Sequence, residues 1–263
     1  MTPLSVLTLS ALFLTPASDR VRRPAPPDPG PDPGYGLVHQ PAYSNDKRPR
    51  PPLEPYRPQP GDVLVLSNPT PLFVFLYKLA FADQPGHSAV VVRMPDGRLG
   101  LLEAGVDSTP RTLVNPLDRR LNTYRGTIWV RRRTVPLTPA EDARLTEFAA
   151  LVDGKTFAVV RFALQLTPLR SRGPLRTFLV GRSRPVWLAG RDYLCSEAVM
   201  EALVYAGLAD RRTARPSATY PADLFFDRSR NPYLDRHPPL AGGCWEVPRL
   251  WSRAACLDTS PTR

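Results

Sequence analysis

The stretch Tyr193-Leu194-Cys195-Ser196-Glu197-Ala198-Val199-Met200-Glu201-Ala202-Leu203-Val204-Tyr205-Ala206-Gly207-Leu208 decides how this chain is read. Downstream of Cys195 the apolar residues at 198, 199, 202, 203 and 206 recur at helical spacing, and Gly207 stands where a left-handed C-terminal cap belongs. Cys195 therefore opens a helix. The unpaired N–H groups and partial positive charge of a helix N-terminus favour an anion, which biases a thiol there toward thiolate, the nucleophilic form. The plainer alternative is a buried cysteine acting as a small hydrophobe.

Working outward from that helix, the next informative segment is His87-Ser88-Ala89-Val90-Val91-Val92-Arg93, a strand, followed by Pro95-Asp96-Gly97 and a second strand through Leu102-Glu103-Ala104-Gly105. Pro95 sets the first turn dihedral, Asp96 suits the second and Gly97 accepts a positive φ, so a three-residue loop, a type I turn closed by a glycine bulge, is expected. With Met94 opposite Arg98, Gly105 falls opposite His87 and Glu103 opposite Ala89. His87 and Glu103 then share a face as diagonal neighbours, within side-chain reach. A two-residue loop would separate them onto opposite faces, and a plain surface ion pair is the alternative use of the two groups.

Other segments frame these two. Gly61-Asp62 leads into Val63-Leu64-Val65-Leu66, a buried strand, and Gly126 to Arg131 reads as another. Residues Thr70 to Phe81 are apolar on nearly every face, which predicts a buried helix or the lining of an apolar groove. Thr138-Pro139-Ala140-Glu141 is a capping box with proline at the first helical position, opening a helix through Val152 that Asp153-Gly154 ends. Phe157 to Leu166 is expected to be helical. Thr167 to Arg191, broken by Arg, Pro and Gly, suits a membrane-surface or cleft-covering loop or a plain insertion, and Thr219 to Leu224 a turn into a short terminal element.

Composition supplies the setting. In 263 residues there are 33 prolines, of which about a dozen crowd between Arg20 and Pro60, where they preclude a hydrogen-bond ladder. Leu4 to Leu14 is a short apolar run followed by Thr15-Pro16-Ala17-Ser18, which fits an export signal although its n-region lacks Lys and Arg; a buried or frayed apolar N-terminus is the alternative. The expected organisation is a signal peptide at 1–18, a proline-rich disordered linker at 19–60, a folded domain at 61–235 and a loosely structured tail at 236–263. An exported protein, periplasmic or extracellular and associated with membrane or wall, follows from that reading. Of three cysteines, Cys244 and Cys256 could pair in an oxidising compartment and leave Cys195 as the odd thiol; all three reduced is the other possibility. The net charge of +11 is concentrated in arginines, among them Arg119, Arg120, Arg131, Arg132, Arg133, Arg161 and Arg170 to Arg191. An anionic membrane or cell-wall polymer suits that excess, as does a merely solvated face, while nucleic acid fits poorly because no recognition motif or interleaved aromatic pattern is present. A monomer is expected.

Acyl transfer through a thiol needs a thiolate, a base to activate it and reprotonate the leaving group, and a group that orients the base. Cys195, His87 and Glu103 supply one of each, with Ser196 and the N–H groups that open the helix as candidate oxyanion donors. His39 lies in the proline-rich stretch and His237 beside Pro238-Pro239, so neither competes. The cysteines and histidines lack ligand spacing, so no metal or other cofactor is expected.

The succession Gly61-Asp62-Val63-Leu64, His87-Ser88-Ala89-Val90, Leu102-Glu103-Ala104, Gly154-Lys155-Thr156-Phe157, Tyr193-Leu194-Cys195-Ser196-Glu197 and Tyr220-Pro221-Ala222-Asp223-Leu224 resembles the YiiX/YebB-like cysteine hydrolases, the circularly permuted, papain-like branch of the NlpC superfamily. The resemblance implies an α+β fold, permuted papain-like (NlpC-like), with an antiparallel sheet packed against the cysteine helix. It implies Cys195 as nucleophile, His87 as base and Glu103 as orienting residue in a thiol hydrolase that cleaves an amide or ester bond through an acyl-enzyme. The implied substrates are cell-wall peptides or lipid acyl groups. This chain has Phe157-Ala158 where the family often shows Tyr-Asp, and its arginine-rich segment from Pro168 to Arg191 is long. Rival readings are a non-catalytic binding module of the same fold, which requires His87 and Cys195 to lie out of reach of each other, and a basic membrane-surface or polymer-binding protein whose thiol is incidental.

Overall fold

A computed structural model describes residues 34–39, 53–67, 71–79, 82, 84–106, 109–171, 173, 175, 192–228, 239–240 and 244–253. All belong to one unit, Pro33–Arg263. Its strands are β1 (Leu37–His39), β2 (Glu54–Pro55), β3 (Val63–Ser67), β4 (His87–Arg93), β5 (Leu99–Val106), β6 (Thr109–Pro116), β7 (Thr127–Arg131), β8 (Thr156–Phe157), β9 (Asp192–Tyr193) and β10 (Arg249–Ser252). The helices are α1 (Pro71–Leu79), α2 (Leu117–Thr123), α3 (Pro139–Val152), α4 (Val159–Leu164), α5 (Cys195–Ala206) and α6 (Pro221–Phe226). The strands join in the order β2-β1-β10-β7-β3-β4-β5-β6-β8-β9, antiparallel except for the β8–β9 pair. The fold is α+β.

The centre of the sheet is buried on both sides, which is why β3 and β4 read as unbroken apolar runs instead of alternating ones. Period-2 alternation sends Val63, Val65, Val90, Val92 and Leu102 to one face, where they meet Leu145, Phe148 and Val152 of α3 and Ala198, Val199, Ala202 and Leu203 of α5. The opposite face carries Leu64, Leu66, Ala89, Val91 and Leu101 against Leu117 and Leu121 of α2. Helix α5 is buried on almost every side, and each fully buried Leu or Val of these layers is worth about 1.5–3 kcal/mol of transfer free energy.

The local signals hold. Gly207 caps α5 at φ 83°, and Thr138 and Glu141 form the reciprocal cap of α3. The hairpin closes through Met94 N–H to Arg98 C=O and Gly97 at φ 84°, and its register puts Ala89 opposite Glu103.

Four expectations are corrected. The folded body begins before residue 61: β1 pairs with β10, Val38 is buried, and Tyr56 is buried with its hydroxyl donating to Asp62 at 3.0 Å. The 236–263 stretch is not all loose, because β10 joins β7 and Trp245 is buried with its indole N–H on the Gly61 carbonyl. Those aromatic anchors, scattered among prolines and arginines, draw both ends into the sheet. Residues 157–166 are not one helix: Phe157 pairs in parallel with Tyr193 and the Ala158 N–H goes to the Tyr193 carbonyl, so α4 starts only at Val159. Helix α1 is not enclosed, since Phe75 is 57% and Leu79 48% exposed. The expected signal peptide and most of the arginine-rich segment lie outside the described residues. No described helix is long and apolar enough to cross a membrane.

Gly97 and Gly105 both have positive φ, but a Cβ on Gly97 meets open space whereas one on Gly105 comes within 2.9 Å of the Phe157 ring. Gly97→Ala is expected to lose about 1 kcal/mol from the dihedral alone, and Gly105→Ala about 1–3 kcal/mol more from overpacking. Urea unfolding of the two variants measures the difference; equal losses would remove the close approach of Phe157 from the account.

Candidate active site

Cys195 is the first residue of α5 and only 8% exposed. Three contacts hold the turn that presents it. Glu197 accepts the Leu194 N–H at 3.1 Å, a half capping box that also places a carboxylate where the helix dipole favours it. The other oxygen of Glu197 accepts Arg161 Nη1 at 2.7 Å, tying α4 to the same turn. Ser196 Oγ donates to the Thr219 carbonyl at 2.5 Å, just ahead of α6.

His87 opens β4, and pairing of β4 with β5 runs only as far as Ala89 and Glu103. Beyond that point His87 and Ser88 stay paired with Leu66 and Val65 of β3 but have no partner on the β5 side. Alternation points His87 and Glu103 to the α2 face, whereas α5 lies on the other. The thiol reaches the imidazole around the strand end, where its sulfur also accepts the backbone N–H groups of Ser88 and Ser196.

The sulfur is hydrogen-bonded to His87, and His87 Nε2 lies 3.0 Å from Glu103 Oε2. Nδ1 is thus the ring nitrogen left for Cys195. Glu103 is fully buried, which by itself would raise its pKa, but His87 and Arg120 hold it below the ordinary carboxylate value. Burial likewise works against a charged His87, yet its bonds to Cys195 and Glu103 push its pKa up to about 10. Burial would raise the thiol as well, and the His87 partnership together with the two N–H groups brings it below its ordinary 9.0. Thiolate and imidazolium are favoured as a pair, and the three side chains can attack a carbonyl carbon, protonate a leaving group and hold the base in one orientation.

All three side chains expected from the sequence are brought together. The Ser196 hydroxyl, expected as an oxyanion donor, is instead committed to Thr219; it is the Ser196 N–H that faces the sulfur. Two further polar groups were missed. Arg120 Nε stands 2.8 Å from Glu103 Oε1 and Nη2 donates to Oε2 at 3.2 Å, while Asn115 Nδ2 donates to Oε1 at 3.2 Å. A sequence signal existed for the first: in Leu117-Asp118-Arg119-Arg120-Leu121, Arg120 falls on the apolar face defined by Leu117 and Leu121. Cys244 is a partly buried free thiol against the α5 face of the sheet, and Cys256 lies outside the described residues. His39 sits on β1, separated from β4 by three strands of the sheet, and His237 is not described. The separation that a non-catalytic binding module required, His87 out of reach of Cys195, is not present.

No protein-family model matches the chain, and no curated protein matches it. Among solved structures, one similar chain is the metalloprotein yiiX from Escherichia coli O157:H7, at 15% identity and a TM-score of 0.41, covering 75% of this chain and 98% of that one. Among the described residues of this chain no three of His, Cys, Asp and Glu come together as a metal-holding group.

The shifts of the pair predict a stability profile. The raised pKa of His87 contributes stability that is whole below its ordinary 6.5 and lost as pH rises toward 10. The lowered pKa of Cys195 contributes stability that is whole above 9.0 and lost as pH falls. Just below 9.0 the two slopes oppose each other and the profile is expected to flatten, while above 9.0 stability falls toward pH 10 by up to about 1.4 kcal/mol per pH unit. The difference in unfolding free energy between wild type and Cys195→Ala, measured across pH 5–10.5, isolates this contribution; a difference curve without pH dependence would rule out the ion pair.

Proposed function

We propose that the protein is a thiol hydrolase that cleaves an amide or ester bond through an acyl-enzyme, with the permuted papain-like assignment and an exported location as parts of the same reading. The observation that carries it is the unbroken hydrogen-bonded chain from Cys195 through His87 to the buried Glu103. The Cys195 thiolate attacks the substrate carbonyl carbon, and charge passes to the carbonyl oxygen near the N–H groups that open α5. On collapse the carbon–nitrogen or carbon–oxygen bond breaks, and the leaving group takes the Nδ1 proton of His87. The thioester that remains is attacked by water as neutral His87 takes up its proton; release of the acid restores thiolate and imidazolium. Through both halves Glu103 keeps Nε2 as a donor and holds the ring plane.

Of the two substrate classes, lipid acyl groups are favoured over cell-wall peptides. Helix α4, bound by Arg161 to the first turn of α5, leaves Val159 55% and Val160 73% exposed, and α1 exposes Phe75 and Leu79. Apolar side chains displayed in this way suit an acyl chain better than a polar peptide stem.

Iodoacetamide alkylation of Cys195 as a function of pH tests the pair. Wild type is expected to react well below the free-thiol pKa of about 8.5, with that reactivity lost in His87→Ala. Incubation with p-nitrophenyl esters of increasing chain length is expected to leave an acyl adduct on Cys195, detectable by intact mass, with turnover falling about 10²–10⁴-fold in His87→Ala. If wild type and His87→Ala both titrate as isolated thiols and no adduct forms, the enzyme reading is wrong.

A further inference from the structure

The triad leaves Arg120 unused. Its side chain is 6% exposed, it is delivered by the short helix α2 on the face of the sheet opposite α5, and its guanidinium lies 5.0 Å over the Tyr124 ring. A buried cation is costly unless paired, and the partner here is the orienting carboxylate of the site itself.

The carboxylate has its two oxygens divided among three donors. Oε1 accepts Asn115 Nδ2 at 3.2 Å, with Arg120 Nε 2.8 Å away as an ion-pair contact not aligned for a hydrogen bond; Oε2 accepts Arg120 Nη2 at 3.2 Å and lies 3.0 Å from His87 Nε2. Arg has no acceptor and does not deprotonate, and the Asn115 amide nitrogen only donates. A protonated Glu103 could place its O–H only toward Nε2 of a neutral His87, and would give up the charge that faces Arg120. The ion pair with Arg120 favours a Glu103 that accepts on every side, and an all-acceptor carboxylate dictates that His87 Nε2 carries a hydrogen.

Resting on the thiol-hydrolase reading, we infer that Arg120 is a positioning residue: by holding the outer edge of the Glu103 carboxylate, it keeps that group acceptor-only, makes His87 Nε2 a permanent donor and so reserves Nδ1 for the proton shared with Cys195. The charged and polar groups around Glu103 come from every element packed on it: His87 from β4, Asn115 from β6, Arg120 from α2 and, through the imidazole, Cys195 from α5. The charges alternate along the chain, minus on sulfur, plus on imidazole, minus on carboxylate, plus on guanidinium, and sum to zero. Removal of the last one leaves a net negative buried site, which Glu103 relieves by taking a proton. His87 then loses its acceptor and Cys195 returns to the thiol.

The test is the pH profile of Cys195 alkylation by iodoacetamide in the full chain, for wild type, Arg120→Met, Arg120→Lys, Glu103→Gln and the double variant Glu103→Gln/Arg120→Met, with thermal melts to show that each is folded. Arg120→Met, which keeps length and packing but not charge, is expected to move the midpoint up by at least about one unit, so that the rate below both midpoints falls about tenfold while that at pH 10 stays within about twofold. Arg120→Lys, which keeps the charge but not the fork, is expected to move the midpoint clearly less than Arg120→Met does. In the Glu103→Gln background, Arg120→Met is expected to add no further shift, as it must if it acts through that carboxylate. Should Arg120→Met not fold, Arg120→Gln against Arg120→Lys makes the same neutral-against-charged comparison. A depressed wild-type midpoint that no neutral Arg120 variant moves, or an equal shift with and without Glu103, overturns the role of Arg120 and leaves the hydrolase reading standing. A wild-type midpoint already near that of a free thiol overturns both.

Discussion

A carboxylate with no exposed surface governs this structure. Glu103 is placed by strand pairing in the interior, where an isolated charge is far costlier than anything gained by packing. It remains ionised because His87 and Arg120 arrive from two different elements. Asp62 provides the internal contrast. It is just as buried, but its donors are the hydroxyl of Tyr56 and the N–H groups of Gln59 and Arg133, and burial drives its pKa up to about 7. Neutral donors soften desolvation, while an imidazolium and a guanidinium in direct contact reverse it.

The demand for a cation beside Glu103 makes the site a property of three layers. Helix α5 supplies the thiol from one face of the sheet, the end of β4 supplies the imidazole, and α2 supplies the guanidinium from the other face. Close packing of both faces, with Val and Leu alternating along β3 and Ala and Val filling β4, keeps the layers from sliding and thereby sets the spacing of the charges. The place where α5 meets β4 is also where the ladder ends, so backbone N–H groups that a strand interior would spend on its neighbour are available to the sulfur.

The arginine excess looks different from inside the fold. Arg120 serves Glu103; Arg161 joins Glu197 to Asp192; Arg131 donates to the carbonyls of Leu224 and Phe225 at the end of α6. Arg132 and Arg249 meet Glu54 and Glu246, which ties strands from the two ends of the described chain together. Arginine suits this work because its planar fork satisfies several acceptors at once and it is more weakly hydrated than lysine. Part of what reads as a basic surface is a set of internal fastenings.

The sequence by itself determined the features that depend on neighbours along the chain. The apolar spacing after Cys195, the Thr138–Glu141 cap and the Pro95-Asp96-Gly97 loop are local, and from the loop length the pairing of Ala89 with Glu103 followed by counting. That count put His87 and Glu103 on one face, and Cys195 joined them because acyl transfer needs a nucleophile with its base. Only the tertiary structure decided what depends on packing between distant segments. It drew Val38, Tyr56, Trp245 and Trp251 into the fold from stretches whose composition reads as spacer and tail, because a few buried aromatic contacts outweigh the local preference of prolines for extended chain. It broke the expected helix at Phe157 to pair that residue with Tyr193, and it left Phe75 and Leu79 of α1 exposed. It also separated Arg120 from Arg119, one buried and the other in solvent. Helical spacing puts Arg120 and not Arg119 on the apolar face of α2, but only the fold shows the buried carboxylate, seventeen residues away, that requires a cation there.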